Sequence, residues 1–116
     1  MQAPNREVLR DLLRRWASGQ LSEQEVHEEA ESLWESEEWA EVDESDDRSI
    51  PIEVLSQLDV MNHQLLTTED IPALGEFLNT PPGEAVEGWR RWRRYWAGVD
   101  MPARRRELAE NVFYVA

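Results

Sequence analysis

Helix-start and helix-stop residues recur so closely along this chain that it has room only for short helices. Asn5, Ser22, Thr68 and Asp100 are N-cap residue types, and each stands before an apolar stripe of helical period. Gly19, Gly98 and the break from Asn79 to Gly83, with Pro81 and Pro82, interrupt those stripes. No stretch sustains strand-like alternation, and neither a hairpin signal nor an internal repeat occurs. The pattern predicts an all-α fold, an irregular antiparallel bundle of five to six short helices.

Side-chain spacing sets the expected boundaries. The first helix runs from Asn5 to near Ser18, with Val8, Leu9, Leu12, Leu13 and Trp16 on one face and Gly19 just beyond its end. Ser22 and Glu25 form a capping box for the second, with Leu21 and Val26 placed as a hydrophobic staple. Val26, Ala30, Leu33 and Trp34 make its narrow apolar stripe, opposite Glu28, Glu31, Glu35 and Glu38. Pro51 suits the first position of a third helix that ends near Leu66. Thr68 caps a short fourth helix presenting Ile71, Leu74, Phe77 and Leu78. The fifth, from about Glu84 to Ala97, sets Ala85, Trp89, Trp92 and Trp96 on one face and Arg90, Arg91 and Arg94 on the other. The last begins at Asp100 and ends near Asn111, and Val112 to Val115 is expected to dock as an extended tail.

A chain of 116 residues suits one domain, taken as 1–116, with an acidic, mobile connector at about 40–49. Six Trp supply a core despite the charge, because each buries on the order of 200 Å². The chain has no Cys, which excludes disulfides, thiolate zinc sites and a cysteine nucleophile. The charged segment from Met1 to Arg15 lacks the apolar stretch of a signal peptide, and no apolar run approaches the ~20 residues that span a bilayer. A cytoplasmic protein with no membrane partner is expected.

The motifs of catalysis and metal binding fail at their demanding positions. A carboxylate-bridged di-iron bundle needs Glu three residues before each His, but Gln24 precedes His27 and Val60 precedes His63. Asp43, Ser45 and Asp47 match early ligand positions of a calcium loop, yet Arg48 replaces the turn Gly and Val54 the bidentate Glu. No phosphate-cradling loop or nucleophile elbow is present. The expectation is a non-enzymatic protein with no catalytic residues, no metal and no cofactor.

Charge segregation is the functional signal. The net charge is −13, and all twelve basic residues are Arg. Gln20 to Arg48 holds thirteen acids and one Arg, while Arg90 to Arg106 holds seven Arg and one acid. Such acidity opposes direct nucleic-acid or anionic-membrane binding and steers association with a basic protein. The interleaved Trp and Arg of Trp89 to Trp96 are consistent with a core stripe, since the Trp residues share one face. The candidate partner-binding residues are Glu28, Glu31, Glu35, Glu38, Trp39, Asp43, Glu44, Asp46 and Asp47. Trp39 is the candidate aromatic anchor. Two structural alternatives remain: the Arg face of the fifth helix neutralises the Glu face of the second, or the domain self-associates through its Trp-rich helices as a homodimer.

The segment from Leu12 to Glu25, with Leu12, Leu13, Trp16, Gly19, Leu21, Ser22 and Glu25 around a short Gly-containing turn, resembles small bacterial immunity proteins of the colicin-D type. The likeness covers about 30 residues, on a helix-turn-helix signature, and carries over no individual site residue. It implies a small acidic helical protein that neutralises a basic toxic nuclease by covering its active site.

Overall fold

Asn5 and Ser22 start the first two helices through the chemistry their side chains predict. Asn5 accepts from the backbone N–H groups of Glu7 and Val8, and Ser22 and Glu25 close a reciprocal capping box. A cap of this kind is worth ~1 kcal/mol, so each boundary is locally specified. The computed structural model describes residues 2–115; Met1 and Ala116 of the expected domain lie outside them. These residues form an all-α protein of seven helices: α1 (Arg6–Ala17), α2 (Glu23–Glu35), α3 (Ser49–Asp59), α4 (Ile71–Leu78), α5 (Ala85–Ala97), α6 (Met101–Glu107) and α7 (Val112–Val115). A single parallel bridge pairs Gln2 with Trp39. No helix of the described residues is long and apolar enough to cross a membrane.

The core lies between α1, α3 and α4, with α2 laid along α3 and α5 closing the far side. Leu9, Val26, Ile50, Leu55, Leu58, Met61, Leu74 and Leu78 are fully buried within it. Trp92 is buried and stacks on Phe77, centroids 4.8 Å apart, while Trp89 meets the same ring edge-on at 5.2 Å. Aromatic pairs of this kind add ~1 kcal/mol beyond their area, and they fix α5 on α4. Trp89 and Trp96 are half-buried against the core.

Four local expectations are corrected. First, α3 stops at Asp59 rather than near Leu66. Turns follow, Leu65 adopts φ +55°, and the Leu66 N–H reaches back to the Met61 carbonyl at 2.9 Å. A left-handed Leu is costly, and long-range bonds offset it: Arg104 donates to the Leu65 carbonyl and the Tyr114 hydroxyl to that of Leu66. Second, Thr67 rather than Thr68 is the cap, opening a 3-10 turn over Thr68–Asp70 that runs into α4. Third, α6 ends at Glu107. Fourth, the tail is the short helix α7, not an extended strand. The Asn111 carboxamide accepts from the Phe113 N–H, and Tyr114 is buried.

Candidate functional site

Where α2 ends, the chain turns across α3 and opens a groove of about 1050 Å³. Its walls come from Trp34 at the end of α2, the segment from Glu37 to Glu44, one side of α3 and Trp89 of α5. Six carboxylates line it: Glu37, Glu38, Glu41, Asp43, Glu44 and Glu53. Three indoles, Trp34, Trp39 and Trp89, lie among them, and no basic side chain does. A smaller hollow of about 420 Å³ adjoins it across Glu53 and Trp89, and is bounded by Trp92, Trp96 and Met101.

The indoles are positioned by their own N–H groups. Trp39 donates to the Trp34 carbonyl at 3.0 Å, and Trp89 donates to the buried Ser49 hydroxyl at 2.8 Å. With these donors satisfied, both rings are fixed as groove walls. Trp39, beyond the end of α2, is half-buried.

The acidic segment expected to be mobile carries a run of specific bonds. The Asp43 carboxylate accepts from the Ser45 N–H at 2.9 Å, and the Ser49 N–H bonds the Asp46 carbonyl. The Asp47 carboxylate accepts from the Gly83 N–H at 3.0 Å, and its carbonyl accepts from Arg6. Gly83, at φ +83°, supplies the turn that presents that N–H.

These bonds shape the electrostatics. Hydrogen bonds from Ser45 hold the Asp43 carboxyl below the usual carboxylate range. The Arg48 guanidinium, 2.7 Å from Asp46, brings that carboxyl down to about 2. Burial pushes Glu53 the other way, against hydrogen bonding from Gln57 and Trp92. Within the groove, Asp43 therefore keeps its charge to lower pH than an ordinary carboxylate, while Glu53 gives up its charge more readily.

The structure distributes the candidate residues over three settings. Glu38, Trp39, Asp43 and Glu44 line the groove. Glu28, Glu31 and Glu35 are exposed on α2 away from it, with Glu31 3.7 Å from His27. Asp46 and Asp47 serve Arg48 and Gly83. Among the described residues one ion pair joins the two charge blocks, Arg93 with Glu44. Glu37, Glu41, Glu53, Trp34 and Trp89 were not among the candidates, although Glu37 and Glu41 belong to the same acidic run. No group of three His, Asp or Glu side chains among the described residues is placed to hold a metal.

A second polar cluster escaped sequence reasoning. Asp70, fully buried, accepts from the Thr67 N–H at 2.8 Å, from the Tyr95 hydroxyl, and from Arg104 at 2.8 Å. Burial pulls Arg104 down, but the bonds and charges of Asp70 and Tyr95 together more than offset it and leave the guanidinium raised. With its partners satisfied, this cluster locks α6 to the start of α4 and offers no open coordination.

The fold and the groove together define an all-α protein with an acidic, aromatic-walled concavity. No protein-family model, curated protein or solved structure matches the chain.

Proposed function

We propose that this chain is a non-enzymatic binding module that takes a basic protein into its acidic groove. The observation that carries the reading is the groove itself: six carboxylates around three indoles, two of them held by their own N–H bonds, with Arg93 paired to Glu44 at its border. Dense carboxylates accelerate encounter with a basic surface, and half-buried Trp supplies the desolvated contact that holds it. The sharpest form is an immunity-type inhibitor, acting in the cytoplasm, that neutralises its partner by covering a basic active surface. The likeness of the first two helices to colicin-D-type immunity proteins and the net charge of −13 support that form.

The test is affinity capture from the native lysate, followed by titration of the purified captured protein. One basic protein should bind near equal stoichiometry and be released as salt rises. Glu38→Lys with Glu41→Lys should weaken it about tenfold, as repulsion replaces attraction at two groove positions. Reversal at Glu28 and Glu31, outside the groove, should weaken it less. Recovery of the bait or its own oligomer alone would reject the reading in favour of self-association.

A further inference from the structure

We infer that the groove is a reader of arginine rather than of positive charge in general, with Glu44 and Trp89 forming its guanidinium seat. The inference rests on the proposed binding of a basic protein and names the side chain that such a partner presents.

The free protein already shows the seat occupied. Arg93 of α5 places its guanidinium carbon 5.2 Å from the centre of the Trp89 ring and pairs with Glu44, 49 residues away in sequence. Trp89 and Glu44 both line the groove. One planar cation therefore lies over an indole and against a carboxylate at the same time. That combination suits arginine: a guanidinium stacks on an aromatic face and bonds a carboxylate through a flat fork, whereas an ammonium is a compact, strongly hydrated point charge. The Trp89 N–H is committed to Ser49, so the ring is held in place whether or not a cation lies over it. Arg93 and Glu44 remain about half exposed, at 57% and 47% of their side-chain areas, so an incoming arginine can reach the seat. Among the described residues the remaining groove carboxylates are paired with no Arg, and they draw in a segment of several positive charges. The occupant is thus an arginine-bearing segment of a basic protein, and Arg93 is the internal group it displaces or shares with.

Nona-arginine and nona-lysine separate this inference from the broader one, because they carry the same number of positive charges. Each is titrated at low salt into the isotope-labelled full chain, following the indole N–H resonances of Trp39 and Trp89. Nona-arginine should bind about two- to fivefold tighter than nona-lysine, the worth of one exposed cation–π contact, and should shift the Trp89 resonance most. Arg93→Gln should tighten nona-arginine binding by freeing the seat, and Glu44→Gln should erase the preference between the peptides. Both substitutions are at exposed rim positions, so the fold is retained. Equal affinities with groove resonances shifting would overturn the arginine inference and leave the basic-partner reading standing. Shifts confined to α2, or none, would overturn both. Unchanged affinity in Arg93→Gln would overturn the shared seat.

Discussion

Arg104 of α6 sets its Nη1 2.8 Å from Oδ2 of Asp70, and the carboxylate it meets is fully buried. The pair is bonded on every side: the same Arg104 nitrogen reaches the Leu65 carbonyl at 3.2 Å, and Thr67 and Tyr95 donate to Asp70. It fastens the C-terminal third of the chain to the start of α4.

Breaking one side of this pair should be expensive. Asp70→Asn leaves a buried guanidinium with only the exposed Glu69 carboxylate, 3.6 Å away, as counter-charge, and Arg104→Met leaves a buried carboxylate. Each should cost ~3–5 kcal/mol in urea unfolding at neutral pH. The double substitution should cost clearly less than the sum, since neither charge is then left unpaired. Additive losses would show that the two groups act independently.

That pair also marks the limit of what was legible in the sequence. Asn5 with α1, and Ser22 with Glu25, were readable because a cap and the amides it serves lie within three residues. Arg104 finds Asp70 across 34 positions, and no local signal announces it. The early end of α3 was illegible for the same reason: Leu65 has no local cause to turn left-handed, and its carbonyl partner is that same Arg104. The Thr67 cap, by contrast, obeys the short-range rule: Asp70 stands three residues on and closes a capping box with it, a pattern that Thr68 does not share. The acidic half of the groove could be found from charge density. Glu53 and Trp89 could not, because they enter it only when α3 and α5 pack behind the connector.

Alkaline titration tests the same cluster. Burial, and then the bond to Asp70, push the Tyr95 hydroxyl from its ordinary 10.0 up to about 12. A pKa raised by folding means that the stabilisation is fully present below pH 10 and is lost as the pH climbs through about 12. Tyr114 is raised as well, through burial first. Neither of the two tyrosines should therefore ionise near 10 while the protein stays folded. Phenolate absorbance should rise together with the loss of helical circular dichroism. A phenolate signal at 10 with the fold intact would contradict the geometry.

Gly88 shows where α5 and the turn after α4 come closest. A Cβ there would stand 2.7 Å from the Thr80 Cγ2 and closer still to its hydroxyl oxygen. Thr80 is buried and donates to the Phe77 carbonyl at 2.7 Å, so it has little room to move. Gly88→Ala normally favours a helix by ~1 kcal/mol, but here it should destabilise by ~1–3 kcal/mol. In a Thr80→Ala background the added cost should largely vanish. Equal costs in both backgrounds would locate the clash elsewhere.

Trp39 separates anchoring from folding. Its ring is half-buried and its N–H is tied to the Trp34 carbonyl. Trp39→Ala should leave the helical signal unchanged while weakening the captured basic partner by ~2 kcal/mol, about thirtyfold. Trp39→Phe keeps a ring but loses the tether, and should fall between. Undiminished binding in Trp39→Ala would remove this residue from the anchoring role.

Glu53 sets stability against binding. Burial raises its carboxyl above the ordinary value, so folding is favoured by the protonated form. Stability from this group is present below the unfolded pKa and lost as the pH rises through the folded one. At neutral pH the ionised Glu53 therefore opposes the fold. Glu53→Gln keeps the shape and removes the charge, so it should raise the midpoint of thermal unfolding at neutral pH and flatten its dependence on acid pH. It should also weaken the basic partner, because the inner wall of the groove loses a carboxylate. A variant that is more stable and binds less well would identify Glu53 as a residue held for docking at the expense of the fold. A variant that is less stable would mean that its bonds to Gln57 and Trp92 outweigh the burial of its charge.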